Sequence, residues 1–303
     1  MRRFKHTCRR LFLLTACSVF TLAVAATAAE QTAPIDLRPH WKVGDQVTYA
    51  IERIKTTQRS GAGKSEMISR YKITVSVVEV NTEGIVQNWI VESDPLEQIT
   101  KEFDAPLILL HALSSLTLVL QLDTDAGVVA VKNWREVRSK IQLLLSNLDS
   151  PGLMNPSKRK AVELYKNIFV QLLTNEAQAL FVLTKEAQIL FSPMGGLYSS
   201  GVLIETASAI ETPFFAEGIP ATYRITPLVR SDRPNILVLE VVETPDTTEL
   251  AVFSKTKDPV SLMRTVNYEI DIPTAWPVSV LWQQKLIAPG QERFESMRFD
   301  RLK

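Results

Sequence analysis

The sequence predicts an α+β fold: a curved, half-barrel-like antiparallel β-sheet with helices packed on one face. Two observations point there. Residues 41–132 and 202–303 alternate apolar and polar side chains with a period of two, as half-buried strands do. Residues 133–192 instead carry helix caps and apolar side chains three and four positions apart. Strands, then helices, then strands read as one domain over residues 41–303, preceded by a linker over residues 30–40.

The first sheet segment opens with a turn, Trp41 to Asp45, which launches Gln46 to Lys55. There Val47, Tyr49 and Ile51 alternate with Thr48, Ala50 and Glu52. Ser60 to Lys64 is a glycine-bearing connection, after which Tyr71, Ile73, Val75 and Val77 resume the period. Asn81 to Gly84 turns the chain into Ile85 to Glu92, a hairpin partner. Leu107 to Leu113 reads as a short buried helix. Leu116, Leu118, Leu120 and Leu122 return to strand alternation, and Asp123 to Gly127 turns into Val128 to Val131.

In the middle, Asn133 with Glu136 three residues later has the spacing of a capping box and predicts a helix to about Ser146. Asn155 followed by Pro156 is a second helix start, and that helix is expected to run to about Phe191, where Ser192-Pro193 and Gly195-Gly196 stop it. Its expected core stripe is Leu173, Ala177, Leu180, Leu183, Ala187 and Leu190. Residues 174–181 are nearly repeated by 184–191. A ten-residue shift leaves the copies about 80° apart around the helix, so they share no face and read as helix composition rather than as an array. The last segment holds candidate strands at Ala221 to Val229, Asn235 to Glu243, Leu250 to Ser254, Val266 to Ile272, Val278 to Leu286 and Arg293 to Leu302.

Residues 1–29 read as a signal peptide: Arg2, Arg3, Lys5, Arg9 and Arg10, then an apolar run from Leu11 to Ala25, then small residues before Glu30. Cleavage is expected near Ala28 or Ala29. Lipidation at Cys17, within Leu14-Thr15-Ala16-Cys17, is a minor alternative, and an uncleaved anchor is another. Both cysteines, Cys8 and Cys17, lie inside this leader, so the exported chain holds none and keeps only His40 and His111. Its charges become 29 basic against 33 acidic, from 34 against 33 in the whole chain. A mildly acidic chain without basic runs speaks against nucleic acid as a partner. No later stretch approaches the roughly 18 unbroken apolar residues of a membrane span. The expected compartment is the periplasm of a Gram-negative bacterium.

Motifs that resemble catalytic signatures fail on their context. Gly61 to Ser65 ends like a phosphate-binding loop, but Gln58 stands where the first glycine belongs. Asp123, Asp125 and Gly127 hint at a calcium loop, yet the glycine comes one position early and Trp134 stands where the closing acid belongs. Ser69-Arg70-Tyr71-Lys72 has the S-x-x-K spacing but enters a strand instead of a helix. Ser199 and Ser200, between Gly196 and Gly201, do not form a nucleophile elbow. His40 reads as solvated and His111 as a core residue; two distant histidines without cysteine make no zinc site. Glu211, Glu217, Asp246, Glu249, Asp271 and Glu295 are carboxylates a hydrolase could use, and nothing in the sequence singles one out. No catalytic residue, metal ligand or cofactor motif is assigned. Phe214 and Phe215, beside Pro213 and a Gly218 loop, read either as a core plug or as a ligand-facing loop; Trp276 and Trp282 lie in strands with one face rich in large apolar groups. These four are the candidate ligand-binding residues.

The layout resembles the periplasmic lipoprotein-carrier superfamily, which includes the outer-membrane lipoprotein carriers and receptors. The resemblance lies in the order of elements over residues 41–303 and in three short stretches: Trp41 to Asp45, Asp123 to Gly127, and Ile270 to Pro277, the last within a strand pair Tyr268-Glu269-Ile270-Asp271 and Thr274-Ala275-Trp276-Pro277. It implies a half-barrel whose concave apolar face, lidded by helices, can hold acyl chains; no family binding residue carries over. The long central helical segment departs from the pattern and could fill the cavity instead of lidding it. The expected function is a non-enzymatic carrier of a hydrophobic small molecule or lipid. The alternative is an assembly factor binding an envelope protein, and a carboxylate-based hydrolase comes last.

Overall fold

The computed structural model describes residues 33–92, 116–147, 176–212, 215–254 and 260–303, with positions 163, 167, 170, 173 and 174 between them. It is 58% strand and 17% helix, so the balance lies further toward sheet than expected. Two meanders build that sheet. The first comprises β2 (Gln46–Arg59), β3 (Gly63–Asn81), β4 (Gly84–Glu92), β5 (Thr117–Leu122) and β6 (Val128–Val131). The second comprises β8 (Ile204–Thr212), β9 (Phe215–Val229), β10 (Ile236–Pro245), β11 (Ser261–Asp271), β12 (Trp276–Ala288) and β13 (Gln291–Arg301). They join where β13 pairs with β2, giving one antiparallel sheet in the order β6-β5-β4-β3-β2-β13-β12-β11-β10-β9-β8. The sheet is not closed, and β6 and β8 are its edges.

A separate two-stranded pairing joins β1 (Ile35–Asp36), in the stretch read as a linker, to β7 (Leu197–Tyr198). Leu37 beside it is fully buried. The helices are α1 (Trp134–Asn147), α2 (Glu176–Leu183), α3 (Lys185–Phe191) and α4 (Thr247–Ser254). No helix among the described residues is long and apolar enough to cross a membrane. The expected helix at Leu107 to Leu113, with His111, lies outside the described residues, as does the helix start at Asn155-Pro156.

Local chemistry explains four departures from the sequence expectations. Leu250 to Ser254 is helix, not strand. Asp246 Oδ1 accepts the backbone N–H groups of Thr248 and Glu249, capping α4, and Leu250 packs with Ile210, Ile219 and Ala221. Strand β8 has no counterpart among the sequence expectations, because Thr206 and Ser208 interrupt its apolar period; pairing with β9 forms it. The helix expected to reach Phe191 unbroken is interrupted at Thr184. This buried side chain donates to the Leu180 carbonyl at 2.7 Å and accepts from Gln188 at 3.0 Å, competing with regular helix geometry. Finally, Ala177 is exposed and Ala179 is buried, so the expected stripe departs at this one position, while Leu173, Leu183, Ala187 and Leu190 are buried as expected and Leu180 is half-buried against the core.

Asn133 does not make the expected capping box. Its Oδ1 accepts the N–H of Val119 at 3.0 Å and its Nδ2 donates to the carbonyl of Thr117 at 2.6 Å. The side chain thus supplies β5 with a stretch of ladder where β6 has ended, and ties the start of α1 to the sheet. Replacing Asn133 by alanine leaves both backbone groups of β5 without these partners. Chemical denaturation is expected to show a loss of about 2 kcal/mol; a loss below about 0.5 kcal/mol refutes this role.

The core lies on one face of the sheet, the core face. Its largest cluster takes Tyr49 and Ile51 from β2, Tyr71, Ile73 and Val75 from β3, Leu239 from β10, Tyr268 from β11, Val280 and Trp282 from β12 and Met297 and Phe299 from β13. Ala187, Leu190 and Phe191 of α3 and Val137 and Ile141 of α1 belong to the same cluster. Tyr268 closes the junction with α3 by donating its hydroxyl to the Ile189 carbonyl at 2.9 Å.

Candidate functional site

The strands outrun this apolar cluster, and past its end their core face is charged. In β2 the core-face series Tyr49, Ile51 continues as Arg53 and Lys55; in β10 Leu239, Val241 continues as Glu243; in β11 Tyr268, Val266 continues as Arg264. In β12 Val280, Trp282 continues as Gln284, and in β13 Phe299, Met297 continues as Glu295. The registers bring these changes level. Lys55, Glu295, Gln284, Arg264, Glu243 and Tyr223 face each other in succession across six strands, forming one polar belt.

The belt is paired along its length. Glu295 Oε1 accepts from Arg53 Nε at 2.8 Å and Nη2 at 2.5 Å, and from Lys185 Nζ at 3.1 Å. Lys185 opens α3 and lies 4.3 Å from the centre of the Trp282 ring, so its charge meets the ring face as a cation–π contact. Arg264, 5.7 Å from the same ring, donates to Glu243 at 2.9 Å and to Gln284 at 3.0 and 3.2 Å. Next to Lys185, Glu186 accepts the Tyr71 hydroxyl at 2.8 Å.

These charges are only partly wet. Side-chain exposure is 16% for Arg53, 20% for Glu295, 28% for Lys185 and 5% for Glu243. Burial works against ionising Glu295, but Arg53, Lys185 and Lys55 outweigh it and hold the carboxyl down at about 2. Burial lowers Lys185 to about 8, with Glu295 only partly restoring it against the nearby Arg53. Burial, reinforced by Glu186, raises Tyr71, which stays a neutral donor.

Of the four candidate ligand residues, Trp282 lies at the boundary between apolar cluster and belt. Trp276, on the same strand, stacks on Trp41 with ring centres 4.1 Å apart and meets Phe191 at 6.0 Å. It is 4% exposed. Phe214 lies outside the described residues, and Phe215 opens β9. The structure does not bring Trp276 and Trp282 into one contact. Among the carboxylates considered, Glu295 is in the belt, Asp246 caps α4 and Asp271 accepts the Thr274 hydroxyl. Glu295 and Glu243 stand three strand spacings apart, roughly 14 Å, beyond the roughly 5–10 Å that paired glycosidase carboxylates need. Ser69 is buried on the core face while Lys72, three residues on, is exposed on the opposite face, so the S-x-x-K pair does not meet. Among the described residues no three His, Cys, Asp or Glu side chains gather as a metal site.

The opposite face of the sheet carries a shallow groove of about 620 Å³ where Glu52, Arg70, Lys72, Glu92 and Asp300 meet across β13, β2, β3 and β4. Arg70 pairs there with Glu52 at 2.6 Å, on a largely exposed side chain. Such a surface pair contributes little.

Compared with known proteins, the chain matches no family model and no curated protein. The belt is therefore interpreted from its own chemistry.

Proposed function

We propose that the protein is an exported, non-enzymatic binding or carrier protein that holds a hydrophobic ligand, a lipid or acyl chain, between a curved sheet and helices on one of its faces. The observation that carries this reading is what lies beyond the belt. Two residues past Gln284 and Arg264 along their strands, Leu286 and Leu262 face each other on the core face, and Met67 extends the level of the belt onto β3, opposite Lys55; all three are only half-buried. Apolar side chains left part-wet on the core face of a chain with ample core residues offer surface for a ligand to cover. Each Å² of apolar area buried contributes about 25 cal/mol to binding. The apolar half on the other side of the belt is occupied by Trp41, Trp276 and Phe191, so the ligand belongs on the belt side.

The leader at residues 1–29 supports export, with the periplasm as the compartment. Native mass spectrometry combined with lipid extraction, on protein purified from its own exported compartment, tests the reading. A stoichiometric lipid or acyl chain is the expected result, and a clean apo mass overturns it. A second reading, an assembly factor for another envelope protein, is favoured by the nine-residue edge strand β8, which has no lysine or proline to discourage strand addition. A clean apo mass together with a stable protein complex is the outcome expected of it.

A further inference from the structure

We propose that Lys185 is a covalent retention site, whose ε-amine takes up a hydrophobic aldehyde as a reversible imine. The inference rests on the carrier reading and deepens it by naming the ligand class.

The geometry holds one amine largely out of water yet within reach of a ligand. Lys185 opens α3 and brings its Nζ to the face of Trp282, 4.3 Å from the ring centre, with 28% of the side chain exposed. The buried indole makes an apolar wall on one side. Glu295 Oε1 accepts from Nζ at 3.1 Å. The same oxygen takes two hydrogen bonds from Arg53, so the carboxylate keeps a cation of its own while the amine reacts. The other charges nearby are engaged elsewhere: Glu186 by the Tyr71 hydroxyl, and Arg264, over the same indole, by Glu243 and Gln284. Burial lowers the amine to about 8; Glu295 and Glu186 only partly restore it, and Arg53 works with burial. At pH 7 roughly one such amine in ten is unprotonated, against roughly one in a few thousand for an ordinary lysine.

Position supplies the chain of the ligand. Glu295 faces Gln284, and one pleat repeat further along, about 7 Å, stand the half-buried Leu286 and Leu262. A hydrocarbon chain attached at Nζ lies over them.

Imine formation balances without a co-reactant. The ammonium gives up one proton to solvent, and the freed lone pair attacks the aldehyde carbon. The carbonyl π pair moves to oxygen, which takes a second proton from the nitrogen. The first proton returns to that hydroxyl, which departs as water while the nitrogen lone pair closes the C=N bond. Ammonium plus aldehyde thus gives iminium plus water, with no change in net charge. The product keeps one N–H for Glu295 and a positive charge for the Trp282 face. An acyl donor would instead delete that charge for good, and both contacts with it.

Reductive trapping on the exported chain tests the proposal, with decanal below stoichiometry, cyanoborohydride at pH 7, and peptide mass mapping to locate the alkylated lysine. Lys185 is expected to carry the decyl group about ten-fold more than Lys42 or Lys64, the latter 59% exposed and also paired with a carboxylate. Acetaldehyde, which has no chain to lay over Leu262 and Leu286, is expected to show a several-fold smaller preference. Labelling of Lys185 no greater than that of Lys42 and Lys64 overturns the imine. Calorimetric titration with 1-decanol separates the two levels: decanol bound without selective labelling leaves the carrier reading standing, whereas neither binding nor selective labelling overturns both. Equal preference with acetaldehyde and decanal overturns the hydrophobic ligand class.

Discussion

Replacing Glu295 by glutamine is expected to lower stability by about 3 kcal/mol at pH 7, with the deficit shrinking as pH falls from about 4.5 through about 2. The reason is the company the carboxylate keeps. Arg53 and Lys185 share its Oε1, on side chains 16–28% exposed, and removing the negative charge leaves two partly buried cations facing each other. Because the folded protein holds this carboxyl below its ordinary value, its contribution is fully present above about 4.5 and is lost as acid protonates it toward about 2. At the acid end the variant and the parent therefore converge. Glu292→Gln is the control: its partner Lys285 is a surface cation, the pair is more than 40% exposed on both sides, and its loss is expected to be hardly measurable. Urea titrations of both variants across this pH range check the prediction. Equal effects of the two substitutions, or a Glu295→Gln deficit that does not change with pH, would refute it.

Gly84→Ala is expected to cost more, about 4 kcal/mol, or to prevent folding. Gly84 ends the Asn81 turn at φ +138°, a conformation that side chains rarely adopt, and Asn81 Oδ1 accepts its N–H and that of Glu83. An added Cβ would stand 2.0 Å from the carbonyl oxygen of Leu122, a backbone atom of β5 paired to this strand. Neither partner can move without opening the β4–β5 ladder. Gly61→Ala, at φ +78° with nothing within 4 Å, separates the two causes, since it bears only the backbone cost of about 1 kcal/mol. Thermal or chemical denaturation of both variants reads the difference. Similar losses at both positions would show that the collision with Leu122 is relieved cheaply.

The strands of the first meander were legible because their apolar period is regular and their turns carry Asn81-Gly84 and Asp123-Gly127. In the second turn Asp123 Oδ1 accepts the N–H groups of Asp125 and Gly127, the local bonding that makes such a turn readable from sequence. Strand β8 was not legible, since a run with Thr206 and Ser208 on its core side becomes a strand only by pairing with β9. The signal for α4 was present in Asp246 and Glu249, a cap and an acid three residues apart, but the apolar Leu250 to Phe253 spoke as loudly for a strand. Asn133 shows the limit of a motif: its spacing to Glu136 fits a cap, and a nearby strand end competes successfully for the same side chain.

The belt was half legible in the same sense. Parity alone places Arg53 and Lys55 on the face of Tyr49 and Ile51, and Glu295 on the face of Met297 and Phe299. Each strand, read alone, shows a charged residue where its apolar series ends, and each has a bland interpretation as a strand tip reaching water. What turns several such tips into one belt is alignment, and alignment is a property of pairing. Arg53 and Glu295 are 242 residues apart and meet because β13 lies beside β2. Lys185 comes to the same carboxylate from a helix.

By itself, then, the sequence determined the alternating strands, their principal turns and the side of each strand that carries its apolar series, because side-chain periodicity and turn chemistry act over a few residues. The order of eleven strands, the junction of the two meanders and the convergence of Arg53, Lys185 and Glu295 were decided only in the tertiary structure. Those depend on which ladder the backbone hydrogen bonds complete, and a ladder joins residues at any separation with the same geometry.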